Sequence, residues 1–164
     1  MKRLYINRHA KSSWDDRTLT DFERPLNGRG LRDAPFMAEV FAQDHRVDQI
    51  ISSPANRALS TAIEFAKALS IPLSDIKQDK TIYHASIVDL MKVVQSIDDQ
   101  LDSVIMFGHN PGFSYIVDHL TGDGISMATC AIVGIDLHID SWKAADRLTG
   151  SVVHYDYPKK HVLE

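Results

Sequence analysis

Two histidines each follow a short apolar run that is typical of a buried β-strand. His9 follows Arg8 and the run at residues 4–6, and His109 follows Gly108 and the run at residues 104–107. Ligands collect at the carboxyl ends of strands in an α/β sheet, because loops and helix N-termini converge there with unpaired backbone N–H groups. Two imidazoles and an arginine in that position indicate phosphate chemistry.

Arginine and histidine are side chains that suit phosphoryl transfer. A phosphoryl group in transfer carries charge on its equatorial oxygens, which fixed positive donors stabilise. The planar guanidinium groups of Arg8 and Arg57 can each fork onto two oxygens. Arg57 follows the turn at residues 52–54 and falls in the first turn of a predicted helix, whose N-terminus favours an anion. A neutral imidazole can attack phosphorus, so one of the two histidines is a candidate nucleophile.

Short runs rich in Ile and Val alternate with stretches of helical period, a pattern that predicts βαβ units and helices on both faces of a sheet. The predicted strands lie at residues 4–7, 49–52, 76–78, 103–108, 131–138 and 151–155. Apolar residues at three- and four-residue spacing predict a helix over residues 55–69. The polar segment at residues 11–24 predicts a long loop, which in a compact domain is more often functional than idle.

Three further helices are predicted from their end signals. Asn27 caps one, which Pro35 should kink or restart because proline removes a backbone hydrogen bond. Ser86 and Asp89 form a capping box that opens another. A third follows Asn110-Pro111-Gly112 and ends at Gly122.

The composition fits one globular domain over residues 1–164. The hydrophobic fraction is 44% and the charged fraction 24%, both ordinary for such a domain. A net charge of −4 gives no electrostatic reason to expect nucleic acid as a partner. Cys130 lies in an apolar stretch, where a small hydrophobic role is usual. Because no apolar run approaches the length of a bilayer span or a signal-peptide core, we expect a cytoplasmic protein with no membrane partner.

Four motifs occur in order along the chain. They are residues 4–10, then Arg24-Pro25-Leu26 with Gly30, then Ser52-Ser53-Pro54 through Arg57 to Thr61-Ala62, and finally Gly108-His109. Together they resemble the motifs of the histidine phosphatase superfamily, and the opening Arg-His-Ala-Lys-Ser-Ser-Trp looks most like the SixA-type phosphohistidine phosphatases. The resemblance implies an α/β fold of three layers, α/β/α, around a mostly parallel sheet, the phosphoglycerate-mutase-like fold.

The same resemblance implies roles for the matching residues. His9 is the nucleophile, Arg8 and Arg57 bind the phosphoryl oxygens, and His109 is the second histidine, which stabilises the transition state. Arg24 either binds substrate or braces the aspartate-rich loop. The resemblance implies no metal and no other cofactor.

One departure from the family bears on the substrate. Relatives that cleave phosphate esters carry an acidic residue after the third strand, whereas residues 81–86 contain no carboxylate. Imidazole, with a reference pKa of about 6.5, is a good leaving group and needs little help from an acid. A phosphorylated protein carrying phosphohistidine is therefore the expected substrate. His84, Asp15, Asp16 and Asp21 stay open as a hidden acid.

Two other functions stay open: a small-molecule phosphomonoesterase acting on a sugar or nucleotide phosphate, and a non-catalytic phosphate or phosphoprotein sensor. A metal site is disfavoured, because no two histidines have the short helical spacing of zinc motifs and the arginines would repel a cation. Trp14 and Trp142 are candidates for the substrate mouth, although large aromatic side chains mostly serve packing. The sequence does not indicate an oligomeric state.

Overall fold

Six strands form one sheet in the computed structural model, which describes residues 1–161. They are β1 (Lys2–Arg8), β2 (Gln49–Ser52), β3 (Lys77–Gln78), β4 (Ser103–Gly108), β5 (Ile132–Leu137) and β6 (Gly150–Asp156). Their order across the sheet is β3-β2-β4-β1-β5-β6. The first four in that order pair in parallel, and β5 is antiparallel to both of its neighbours. The sheet is mostly parallel, as predicted.

Four helices cover the two faces of the sheet, two on each side. Helices α1 (Gly28–Asp44) and α2 (Asn56–Ala68) pack on one face, and α3 (Ile87–Gln95) and α4 (Gly112–Thr121) pack on the other. Successive side chains of a strand point to opposite faces. The central strands are therefore apolar at consecutive positions, and the three-layer α/β/α arrangement is confirmed. No helix within residues 1–161 is long and apolar enough to cross a membrane.

The alternation is visible within single strands. In β1, Tyr5 packs with the side chains of α1 and α2, whereas Leu4 and Ile6 pack with those of α3 and α4. In β2, Ile50 packs on the side of α1 and α2, and Ile51 packs on the side of α3 and α4. All five residues are buried. Each central strand therefore joins both halves of the core.

The residues predicted to begin or end helices do so in the structure. The Asn27 side chain accepts a 2.9 Å hydrogen bond from the backbone N–H of Gly30. Ser86 and Asp89 form the reciprocal capping box at the start of α3. Gly122 ends α4 with a left-handed φ of 79°, a conformation that glycine adopts at little cost.

Helix α1 does not restart at Pro35, which was one of the two effects predicted for this proline. It runs as one element of 17 residues. Pro35 removes the hydrogen bond that would reach the carbonyl of Leu31. Leu31 is 65% exposed, so this turn of the helix is open to water and the helix tolerates the proline.

Gly30 lets the segment after β1 pack directly onto the start of α1. A Cβ atom at this position would lie 2.1 Å from the carbonyl oxygen of Lys11. The same carbonyl accepts a 2.9 Å hydrogen bond from the backbone N–H of Asn27. The backbone that leaves His9 is thereby fixed against α1.

Gly30→Ala should destabilise the fold, because the added methyl group must displace backbone. We expect a loss of about 1–3 kcal/mol in the free energy of unfolding, the usual cost of overpacking. Urea denaturation measures it. Gly28→Ala is the matched control, since a Cβ at Gly28 meets no atom within 4 Å among the described residues, and it should be neutral or slightly stabilising. Equal effects of the two variants would contradict this account.

Candidate active site

The pairing of β1 with β4 brings the two histidines together. The strands run in parallel with Arg8 opposite Gly108. The backbone N–H of His9 then donates a 3.0 Å hydrogen bond to the carbonyl of Gly108. The ring centroids of His9 and His109 lie 5.3 Å apart. Two residues a hundred positions apart in sequence thus share one site at the carboxyl edge of the sheet.

His9 is a buried, neutral imidazole with a defined tautomer. Its Nδ1 lies 2.7 Å from the carbonyl oxygen of Ala10, which can only accept, so Nδ1 carries the proton and Nε2 carries the lone pair. Burial lowers the pKa of His9 to about 3, and the nearby charges of Arg57 and Arg8 lower it as well. At neutral pH, Nε2 is therefore unprotonated and available as a nucleophile.

The backbone around His9 is held by α2. The hydroxyl of Thr61 accepts a 3.0 Å hydrogen bond from the Ala10 N–H and donates at 2.8 Å to the carbonyl of Arg57. Thr61 and Ala10 are fully buried. One side chain therefore links the segment that carries His9 to the helix turn that carries Arg57.

Arg57 lies in the first turn of α2, as predicted, and is 5% exposed. Its Nη1 donates at 2.6 Å to the backbone carbonyl of Asp21, and its Nη2 donates at 3.0 Å to the Asp21 carboxylate. Its Nε is buried and has no hydrogen-bond partner among residues 1–161. Asp21 therefore holds one edge of the guanidinium and leaves the Nε edge unpaired.

Arg8 is held in a similar way. Its Nη1 donates at 3.0 Å to the carbonyl of Met127, which also accepts from the Asn110 side chain at 2.9 Å. Its Nε is buried without a partner in the described part of the chain. Burial lowers the pKa of Arg8, and the charge of Arg57 adds to that effect. The charge of Arg57 acts on Arg8, so the local electrostatic potential at this part of the fold is strongly positive.

His109 is oriented by Ser53. The Ser53 hydroxyl oxygen lies 2.8 Å from His109 Nε2 and accepts a 3.2 Å hydrogen bond from the Ala55 N–H. Its own proton can go to Nε2, and in that arrangement the ring proton of His109 is on Nδ1. Burial, together with neighbouring His9 and Arg57, lowers the pKa of His109 to about 3. Nδ1 is then a neutral hydrogen-bond donor.

Three donor atoms around His9 are buried and unpaired within residues 1–161: the Nε atoms of Arg8 and Arg57, and Nδ1 of His109. Such atoms are uncommon, because a buried donor without a partner costs roughly 1–3 kcal/mol. An anion with several oxygens would pair with all of them at once. The arrangement offers three donors to a tetrahedral oxyanion and an unprotonated nitrogen on His9.

Asp21 is a site residue whose main contacts the sequence did not predict. Burial would raise its pKa, but a 2.6 Å hydrogen bond from the Tyr83 hydroxyl and the charges of Arg57 and Arg24 lower it to about 2. Asp21 is therefore ionised at neutral pH and cannot donate a proton there. Its contacts position Arg57.

Arg24 contacts the loop. Its Nε donates at 3.2 Å to the Asp21 carboxylate, and its guanidinium carbon lies 3.4 Å from the centroid of the Trp14 ring. It also donates to the carbonyl of Ser13 at 3.4 Å. These contacts match the bracing role that the sequence left open, while its charge still contributes to the lowered pKa of His9.

Of the remaining residues considered for the site, three are exposed and one is buried in the core. Asp15 and Asp16 are exposed, and Asp16 binds Thr18 within the loop. His84 is exposed beside Tyr83, with a distance of 3.9 Å between their ring centroids. Trp142 does not line a substrate mouth: it is fully buried and its Nε1 donates to the carbonyl of Leu101.

The expected absence of a metal site can be compared with the side chains of residues 1–161. No group of three or more His, Cys, Asp or Glu residues within that range is placed to hold a metal ion. The two arginines beside His9 would also repel a cation.

A model of the histidine phosphatase superfamily (branch 1) matches residues 4–81, which carry Arg8, His9 and Arg57. The matched segment, close to half of the chain, is similar to this superfamily. An uncharacterized chloroplastic protein of Arabidopsis thaliana is 28% identical over 158 residues, which cover 91% of this chain and 72% of that protein.

Solved structures of the superfamily show the same fold. The protein histidine phosphatase SixA complexed with tungstate has a TM-score of 0.82 at 22% identity, covering 96% of this chain and 98% of its own. A mycobacterial glucosyl-3-phosphoglycerate phosphatase has a TM-score of 0.69 at 15% identity, covering 93% of this chain and 97% of its own. The phosphoglycerate-mutase-like fold expected from the sequence is confirmed, and the match to the superfamily model supports phosphatase activity.

The two buried histidines, His9 and His109, should make the stability of the protein pH-dependent. Their pKa values of about 3 lie below the value of 6.5 expected in the unfolded chain. The unfolded state therefore binds more protons, and stability is lost as the pH falls below about 6.5 towards 3. Each imidazole contributes up to about 1.4 kcal/mol per pH unit to the free energy of unfolding.

Urea denaturation between pH 7 and pH 4 measures this slope. A variant carrying His9→Gln and His109→Gln should show a clearly shallower slope than the unchanged protein. The same slope in both proteins would contradict the burial of neutral imidazoles. His138→Gln, at an exposed histidine, is the control and should leave the slope as it is.

Arg57→Lys should lower catalysis far more than stability, because the positive charge remains while the planar fork is lost. Removing one such donor typically costs on the order of 100-fold in rate. Steady-state kinetics with an aryl phosphate and thermal unfolding of the same preparation measure the two effects. Arg29→Lys, which changes an arginine of the α1 surface, is the control. Parallel losses of folding and activity in Arg57→Lys would mark the residue as structural.

Proposed function

We propose that the protein is a phosphatase that forms a phosphohistidine on His9 and takes its phosphoryl group from phosphohistidine in another protein. The observation that carries this proposal is the set of three buried, unpaired donors, from Arg8, Arg57 and His109, around the unprotonated Nε2 of His9. A site of this kind stabilises the charge that develops on phosphoryl oxygens in transfer. The roles of these four residues are part of the proposal.

The first step is a displacement at phosphorus. His9 Nε2 forms the new P–N bond as the bond to the leaving group breaks and its electron pair departs with that group. The Ala10 carbonyl keeps its hydrogen bond to Nδ1 of His9 and holds the ring in line. In the second step water attacks phosphorus, inorganic phosphate leaves, and the electron pair of the P–N bond returns to Nε2.

The protonation states favour a leaving group that needs no acid from the enzyme. Asp21, the carboxylate closest to Arg57, has a pKa of about 2 and is ionised. Burial and Asp21 raise the pKa of Tyr83, whose proton is already used in the hydrogen bond to Asp21. An alkoxide leaving group requires a proton, whereas imidazole departs readily without one from the enzyme.

A protein substrate is supported by apolar surface beside the site. Phe22 is 39% exposed and its ring packs edge-on against Tyr83, with 5.2 Å between centroids. A groove next to Phe22 is lined by Leu19, Pro25 and Leu59. Exposed apolar surface of this kind often marks contacts with another protein. We propose no metal or other cofactor; the cytoplasmic location expected from the sequence stays a prediction.

Specificity constants test the proposal. We expect kcat/KM for a phosphohistidine peptide to exceed that for sugar and nucleotide monophosphates by at least about 100-fold, the usual value of a positioned acid. An aryl phosphate should fall between them, because its phenolate leaves without much protonation. All assays contain a chelator, which should not affect the rate. His9→Ala is the control for contaminating activity.

Two outcomes would contradict the proposal. A sugar or nucleotide phosphate with the highest kcat/KM would indicate a small-molecule phosphomonoesterase and would point to His84 as its acid. Phosphate binding without turnover of any substrate would indicate a sensor. Activity that is lost to the chelator and restored by a divalent cation would overturn metal independence alone.

A further inference from the structure

A cavity of about 240 Å³ opens beside His109. Apolar side chains form much of its wall: Ile82, Ala85, Leu90 and Pro111. The polar side chains that line it are His84, His109 and Asn110. His109 lines this cavity, and its ring centroid lies 5.3 Å from that of His9.

Half of the six polar side-chain atoms that His84, His109 and Asn110 bring to this wall are already hydrogen-bonded. The Asn110 amide donates to the carbonyl of Met127, and its oxygen accepts from the N–H and hydroxyl of Ser114. His109 uses Nε2 on Ser53. The Asn110 amide is therefore not free to bind a hydroxyl group of a ligand.

His84 lines this cavity, and its ring lies beside that of Tyr83. Their ring centroids lie 3.9 Å apart, and the Tyr83 ring lies edge-on to His109 at 5.4 Å. His84 has a backbone φ of 55°, which few residues other than glycine adopt. Apolar walls with an imidazole at the rim suit a planar ring, which gains from packing against another aromatic ring.

We propose that this cavity receives the imidazole ring of the departing histidine, with His84 as the residue that recognises the ring; this rests on the proposed function. In-line displacement places the leaving group on the side of phosphorus opposite His9. As the P–N bond of the substrate breaks, its electron pair passes to the ring nitrogen. A proton already on the other ring nitrogen makes the product neutral imidazole, so no proton from the enzyme is required.

Two variants test the cavity. His84→Ala removes the ring at the rim, and Ala85→Leu fills part of the space. Each should lower kcat/KM for a phosphohistidine peptide by about 3- to 10-fold, the value of one aromatic contact. Phosphoramidate has the same P–N bond but no ring. In each variant, the fold-loss in kcat/KM for phosphoramidate should be at least about three times smaller than the fold-loss for the peptide.

An aryl phosphate carries a ring on oxygen, so its kcat/KM should fall in the cavity variants by about as much as that of the peptide. His138→Ala is the matched control, because it removes an exposed histidine that lies outside the cavity and should leave all three substrates unaffected. Circular dichroism during thermal unfolding checks that each variant is folded, and the two cavity variants serve as independent tests should one fail to fold.

The outcomes separate the two proposals. A wild-type protein that hydrolyses the peptide while both variants slow the peptide and phosphoramidate equally, or slow neither, would overturn the ring cavity and leave the proposed function in place. A wild-type protein that prefers a sugar phosphate to the peptide would overturn the proposed function and the ring cavity together. Selective loss of the ring-bearing substrates supports both.

Discussion

The parallel pairing of β1 with β4 is the contact on which the rest of the site depends. It places Arg8 opposite Gly108, so His9 and His109 leave adjacent strands at the same level. A shift of one residue would turn every side chain of β1 to the other face of the sheet. Gly108 also allows α4 to approach closely, since a Cβ there would lie 2.4 Å from the Phe113 ring. The apolar layers on both faces therefore fix the register and, through it, the site.

Burial then gives the site its chemistry. Removing two imidazoles from water lowers their pKa values, which keeps them neutral beside two arginines. The same burial leaves donor atoms of Arg8, Arg57 and His109 without partners in the described chain. Asp21 offsets part of the positive charge and holds Arg57 in place. The folded protein thus holds its donors in position before an anion arrives, so little reorganisation is needed during transfer.

The sequence predicts the fold well wherever the signals are local. The bounds of β2 and β4, the Asn27 cap, the Ser86 capping box and the Gly122 terminus follow from residues within a few positions of one another. Pro35 is misleading because exposure of the neighbouring turn, which decides its effect, is a property of the packed structure. The site histidines and arginines follow from motifs that resemble a known family.

Contacts between distant segments could not be predicted in this way. Asp21 meets Arg57 and Tyr83, which are 36 and 62 positions away. Its identity as one of several loop aspartates gives no signal, and only the packing of the loop against α2 separates it from Asp15 and Asp16. Ser53 lies within a family motif, yet its contact with His109 depends on the approach of β4. Such contacts set protonation states, which sequence patterns do not encode.

The central claim is that the neutral Nε2 of His9 becomes phosphorylated during turnover. Rapid acid-free quenching of the enzyme with a phosphohistidine peptide, followed by mass spectrometry under alkaline conditions, locates the phosphoryl group directly. The account predicts a phosphoryl group on His9, formed and lost at rates consistent with turnover, and none in His9→Ala. A phosphoryl group on His109 or another residue, or turnover by a protein whose His9 never carries phosphate, would contradict it.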